Sequence, residues 1–299
     1  MQHTLADHAV PASTTGDKDL NKPTLSWARS DIEQRLGFRG ARYTSVNNLL
    51  SFLCACLLTI IFYASVVYCK GTYFAEMFLD RGFVPYFIVF FSAWSCAILF
   101  IKWRKLKLQE RALSISFIPD QNDFVLSPAT VGDVLASLFQ TVDDPKRFIV
   151  LNRVLVALSN LKNLGRVTDV EEILRSQSEH DEAAMETSYA LLRGFIWAIP
   201  VLGFIGTVVG LSYAIGAFGG VLGTATEIND IADSLKGVTA GLATAFETTL
   251  EALVAALAIQ LVLTFLKKSE EEFLDSCREY CHRNIVNRLR MTPFDQQVE

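Results

Sequence analysis

The sequence is short of charge. Only 20% of its 299 residues are Asp, Glu, Lys or Arg, against 51% hydrophobic residues. A soluble domain of this length carries more charge and less apolar content. The net charge of -5 comes with no broad basic face, so no nucleic-acid partner is expected. Histidine is scarce as well: His3, His8, His180 and His282 are scattered outside the apolar blocks, which excludes a proton wire built on imidazoles. There is no P-loop, no GxSxG and no HExxH, and no nucleophile–base pair within the apolar blocks, so the chain is not expected to be an enzyme. Met1 to Arg42 lacks a short apolar run followed by a small-residue cleavage site, so no secretory leader is expected. The cysteines do not form a disulfide framework: Cys54, Cys56, Cys69 and Cys96 lie in or beside apolar blocks, and Cys277 and Cys281 lie in a charged tail. Cys277, Cys281 and His282 have helical spacing but no clear fourth ligand, so neither a metal nor a cofactor is expected.

What is present is four long apolar blocks with the charges between them, a membrane pattern. Met1 to Pro23 is polar and reads as disordered. Leu25 to Arg42 sets four arginines beside Trp27, Ile32, Leu36 and Phe38, which reads either as a basic amphipathic helix on the cytoplasmic leaflet or as a topology signal alone. The first two spans are expected at about 49–69 and 83–101, joined by a short loop over Lys70–Gly82. Lys102, Arg104, Lys105, Lys107 and Arg111 follow at once. With the N-terminal arginines they place both flanks of this hairpin (residues 43–101) in the cytoplasm by the positive-inside rule.

Residues 102–193 form the one sizeable polar region and read as helical. Ser127-Pro128 signals a helix start, with the helix running to about Gln140. Asp143, Asp144 and Pro145 break it, and Phe148–Leu164 makes a second helix with Gly165 as its stop. Thr168 and Glu171 have capping-box spacing, and no breaker follows before Gly194, so a third helix runs into the next span. The last two spans are expected at about 194–218 and 237–266, with Gly219, Gly220 and Gly223 at the exit of the first. Lys267 and Lys268 close the second, and residues 269–299 form a charged helical tail. The expected fold is therefore an all-α membrane protein with four transmembrane helices, a helical cytoplasmic region between spans 2 and 3, and both termini in the cytoplasm.

Several residues in these last spans carry chemical information. Gly206 and Gly210 form a GxxxG pair, Gly203 extends it by one turn, and Gly216 and Gly220 form another pair; small residues let helix backbones approach closely in lipid. Pro200 removes a backbone donor, which suits either a packing kink or a hinge. At about 1.5 Å per residue, Thr207 lies roughly 20 Å along the third span from Gly194, and Thr249 roughly 25 Å along the fourth from Leu266. The spans are antiparallel, so the two hydroxyls reach similar depths, where they suit either an ion path or bonding to their own helices. Glu247 and Glu251 stand at i and i+4 on one face of the fourth span, and each costs a few kcal/mol to insert. Thr249 points about 200° away from each, at about 100° per residue. The two acids read as a proton relay or as protonated groups bonded across a helix interface.

The stretch Pro200–Leu211, with its Gly-Thr-Val-Val-Gly-Leu core, resembles the third helix of the TolQ/ExbB branch of the MotA/TolQ/ExbB proton channel family. Residues Gly241–Leu253 resemble the family's final, threonine-bearing helix. Position by position, Thr207 and Thr249 match the threonines that line the family's pore, and Pro200 matches a proline of the MotA branch. The four-span topology is similar to MotA, whereas TolQ and ExbB have three spans. Glu247 and Glu251 depart from the apolar residues usual in TolQ and ExbB. The resemblance implies a homopentamer around a dimer of a MotB-, TolR- or ExbD-like single-span protein that supplies the ion-binding aspartate. It further implies a stator-like subunit of the bacterial inner membrane, surrounded by membrane lipid, that couples H+ flow, or Na+ flow, to mechanical work. Residues 102–193 would transmit force or bind a cytoplasmic effector. The alternatives are a self-contained channel or secondary transporter using Glu247 and Glu251, and a non-conducting membrane scaffold.

Overall fold

The computed structural model describes residues 25–38, 40–115, 126–127, 129–164, 167–222 and 228–289. The disorder expected for Met1 to Pro23 lies outside these residues, as do Gly165 and Gly223. Among the described residues the chain is helical; its only β pairings are two isolated bridges, Leu25 with Val142 and Leu126 with Leu289.

The N-terminal segment does not form the amphipathic helix that was one of its two readings. It folds as two four-residue helices, α1 (Trp27–Ser30) and α2 (Ile32–Arg35), docked on the helical region. Trp27 is buried and meets Phe148 edge-on at 5.2 Å between ring centroids. Burying this aromatic inside the protein outweighs leaving it at a lipid surface. Asp143 fixes the same spot by accepting from the Ser26 hydroxyl at 2.6 Å and the Trp27 N–H at 3.0 Å.

Among the described residues, four helices are long and apolar enough to cross a bilayer. The first is α3 (Asn48–Tyr68), capped by the Asn47 side chain, which accepts from the Leu49 N–H. The expected loop over Lys70–Gly82 contains a further helix, α4 (Tyr73–Leu79). Thr72 caps it, and Ala75 and Phe78 bury one face. The second, α5 (Val84–Leu113), begins with Pro85 in its first turn and continues well past residue 101. No breaker interrupts the basic run, and these residues are good helix formers. The Trp94 indole donates to the Ser51 hydroxyl at 3.0 Å and ties α3 to α5.

Next come α6 (Val131–Thr141), α7 (Ile149–Leu164) and α8 (Val167–Ser188). Helix α6 starts three residues beyond Pro128. The Thr130 hydroxyl bonds back to Ser127 and closes a turn there instead of continuing a helix. Leu126, Leu138, Phe148, Leu151 and Leu158 form the fully buried centre of this region. A single turn at Tyr189 separates α8 from α9 (Ala190–Leu222), the third apolar helix.

The fourth is α10 (Ile228–Asn284), 57 residues and roughly 86 Å long at about 1.5 Å per residue. The α9–α10 pair extends further than the sequence suggests. Helix α9 continues past Gly219 to Leu222, and α10 takes in Asp230 and Asp233. Contact at this end persists because the Ser234 hydroxyl donates to the Ala217 carbonyl at 2.8 Å. At the other end α10 passes through Lys267 and Lys268 and becomes part of the core of the helical region, with Phe273, Leu274, Cys277 and Cys281 buried. Cys277 and Cys281 therefore sit in the core while His282 on the same helix is exposed, so the three do not converge.

Candidate functional site: the threonine pair between two membrane helices

Glycine makes the site possible. A Cβ on Gly203 would lie 2.6 Å from the Ala252 Cβ, and one on Gly210 would lie 2.6 Å from the Gly241 carbonyl oxygen. From the other helix, a Cβ on Gly241 would lie 2.7 Å from both the Ala214 nitrogen and the Gly210 oxygen. Real Cβ atoms do not approach that closely, so α9 and α10 meet at a distance that only glycine permits. Gly206 belongs to the same seam, set against Thr248. Gly216 has open space around it and takes no part. Pro200 lies inside α9, nearly one turn before Gly203, and does not end the helix.

At this close approach the two sequence-predicted hydroxyls meet. Thr207 Oγ1 and Thr249 Oγ1 are hydrogen-bonded to each other. Both also reach the same two backbone carbonyls. Thr207 Oγ1 lies 3.3 Å from Gly203 O and 3.3 Å from Ala245 O. Thr249 Oγ1 lies 3.0 Å from each of these oxygens. Each carbonyl belongs to the residue one turn before its own threonine, so each hydroxyl bonds its own helix and the neighbouring one. Two hydroxyl protons thus serve two carbonyls and two hydroxyl oxygens, so the donors can be redistributed by hydroxyl rotation alone.

Both threonines are half-buried, and the surface around them is apolar and uncovered. On α9 the exposed neighbours are Phe204, Val208 and Leu211; on α10 they are Phe246, Leu250 and Leu253. These occupy the same positions relative to each threonine, so the hydroxyl pair sits in an apolar collar.

Glu247 and Glu251 point away from the pair, as their helical offset requires. Glu247 accepts from Arg81 Nε at 2.6 Å and Arg81 Nη2 at 3.1 Å, and from the Tyr73 hydroxyl at 2.8 Å. It therefore locks α10 to α4 and to the loop before α5. Sequence reading misses both partners, which are 166 and 174 residues away; the only signal is that Arg81 is the one basic residue between Gly71 and Phe83. Glu251 is buried against α3, α4 and α5.

Two charged pairs are buried where α5 and α10 leave the apolar zone, and a third joins α7 to α8. Lys102 lies 3.3 Å from Glu270 and over the Tyr189 ring at 4.1 Å from its centroid, and the Tyr189 hydroxyl donates to Glu270. Lys105 pairs with Glu33 at 2.7 Å and donates to the Ser45 carbonyl. Arg153 pairs with Asp181 at 2.8 Å. Lys102 and Lys105 are thus structural cations as well as members of a basic run. Sequence reading took them for a topology signal alone.

The family model of the MotA/TolQ/ExbB proton channel family matches residues 147–279, from the start of α7 through the threonine pair and into the tail of α10. No curated protein and no solved structure matches the chain.

Proposed function

Through residues 147–279 the chain belongs to the MotA/TolQ/ExbB proton channel family, and on that premise we propose that Thr207 and Thr249 line its ion path. Membership makes it a multi-pass, proton-channel-like membrane subunit of an energy-transducing motor. The finer reading is a homopentamer in the inner membrane, with both termini in the cytoplasm, around a dimer of a single-span partner. The observation that carries the ion-path assignment is the hydroxyl pair sharing the Gly203 and Ala245 carbonyls inside the apolar zone. The hydroxyl oxygens of such a group can accept hydrogen bonds from a passing hydronium or replace part of an ion's hydration shell, and hydroxyl rotation re-aims their donors without moving backbone. The partner's carboxylate takes and releases the ion beside it. The apolar collar supports this placement, because a neighbouring helix can cover it and exclude water from all but the hydroxyls. H+ is the proposed ion, with Na+ as the competing one.

Helix α10 runs unbroken from the apolar zone into the core of the helical region, the Lys102–Glu270 pair fastens α5 to it, and the Lys105–Glu33 pair fastens α5 to α2. Rotation of the spans would then be passed along α10 into the core of the helical region, where Phe273, Leu274, Cys277 and Cys281 are buried, which suits force transmission or effector binding by residues 102–193. Pairing with Arg81 and Tyr73 gives Glu247 a fastening role and disfavours the relay reading of that residue.

The test replaces both threonines with valine, which keeps the shape and removes the hydroxyls. T207V/T249V should assemble as the wild type does and lose at least tenfold in partner-dependent proton flux in liposomes. Undiminished flux in an assembled double mutant would remove both residues from the path.

A further inference from the structure

Glu251 stands one turn from Glu247 on the same face of α10, yet its surroundings are different. Glu247 is saturated by Arg81 and Tyr73. Glu251 is 8% exposed, and neither of its carboxyl oxygens has a hydrogen-bond partner. Native structures ordinarily give a buried carboxyl a partner, and the few exceptions call for a reason. The carboxyl lines a groove of about 760 Å³ between α3, α4, α5 and α10. Ser92 lines the same groove, and its hydroxyl is also buried and unpartnered. The rest of the wall is apolar, with Leu58, Phe62, Phe78 and Val254 among its residues.

We propose that this groove binds an amphiphile bearing a basic nitrogen, its apolar tail lying between α3 and α5 and its amine on Glu251. The volume falls within the range of small-molecule sites, roughly 300–1,000 Å³. Complementarity selects the head group. Arg81, one turn away on Glu247, is already paired there, and the buried hydroxyls of Tyr63 and Ser92 near Glu251 bond nothing, so the described residues offer this carboxyl neutral donors but no cation. An acid and an amine share a proton whichever of them holds it, and their attraction is strongest where water is excluded. A bare acyl chain would fill the apolar wall and leave both orphaned groups as they are. This inference stands apart from the ion path, because Glu251 and Thr249 point to different faces of α10, with Leu250 on the border between them.

The experiment uses the full complex in phosphatidylcholine nanodiscs and N,N-dimethyldodecylamine as the probe, with binding read by native mass spectrometry. The expected result is saturable binding to the wild type, weakened at least tenfold by E251Q and not displaced by dodecanol. A255F, which fills the groove and leaves the carboxyl in place, should weaken it comparably, whereas T207V/T249V should not. Equal occupancy of wild type and E251Q would reduce the effect to partition into lipid and overturn the proposal. Displacement by dodecanol as strong as by the amine would make the groove merely apolar and overturn it as well. So would a cross-link from a V254C chain to a neighbouring copy, which would make the groove a subunit interface.

Discussion

At the scale of single residues, the seam between α9 and α10 makes opposite demands on glycines two turns apart. In Gly210→Ala the new methyl would lie 2.6 Å from the Gly241 oxygen and 2.7 Å from the Ala245 nitrogen. Both are backbone atoms within helices, so the helices must part, at about 1–3 kcal/mol. Gly216→Ala meets nothing within 4 Å and adds a better helix former, so it should be neutral or gain up to about 1 kcal/mol. Thermal unfolding of the two variants in detergent should therefore move in different directions from the wild type, G210A downward. Arg81→Gln should be costly for another reason. The pair it breaks is mostly buried, with side-chain exposures of 18% and 11%, and Glu247 would keep only Tyr73. Loss of one partner of such a pair costs about 3–5 kcal/mol, and R81M/E247M should recover much of it in the same melt. The similar depth of the two threonines was legible in the sequence, because span length and helical rise set depth without any knowledge of packing; that they touch, and that Gly210 but not Gly216 joins the seam, was not. The partners of Glu247 were not, because nothing local marks an arginine in a loop as the counter-ion of a residue 166 positions away.

At the scale of elements, the N-terminal segment and the basic end of α5 show what periodicity leaves out. Both were read for their charge, and both are held by what they bury. Trp27 and Glu33 are enclosed, and Lys102 and Lys105 are about 1% exposed. Hydropathy treats a lysine after a span as a topology signal and has no access to Glu270, 168 residues later. Glu270→Gln should cost about 3–5 kcal/mol by stranding Lys102, and K102M/E270M should recover part of that in thermal melts. The docking of α1 has a pH signature. Burial pushes the Asp143 carboxyl up, but donation from Ser26 and from the Trp27 N–H outweighs it and holds the group below its ordinary value of 3.8. A carboxyl depressed in the folded state stabilises above its unfolded pKa, and that contribution is lost as pH falls through the folded one. Access of acrylamide to Trp27 should thus stay low at neutral pH and rise in acid below the ordinary aspartate range. Asp143→Asn should raise it already at neutral pH, and an unchanged profile in that variant would show that other contacts hold the segment.

At the scale of the whole molecule, the isolated chain leaves a large apolar surface uncovered. Part of it faces lipid by necessity, since four helices are long enough to cross a bilayer. The collar around Thr207 and Thr249 differs, because hydroxyl groups lie at its centre and a lipid tail offers them nothing. That surface is the one the account assigns to neighbouring copies and to the single-span partner. Four helical spans and a helical region between the second and third were legible in the sequence. The way α10 unites membrane and helical region in a single rod was not, because Lys267 and Lys268 look like an ending although they are good helix formers.

The most direct test of the central claim is native mass spectrometry of the complex purified in mild detergent after co-expression with its single-span partner. Five copies of this chain with two of the partner are expected. A monomer or dimer that is stable without a partner and conducts ions by itself would contradict that claim.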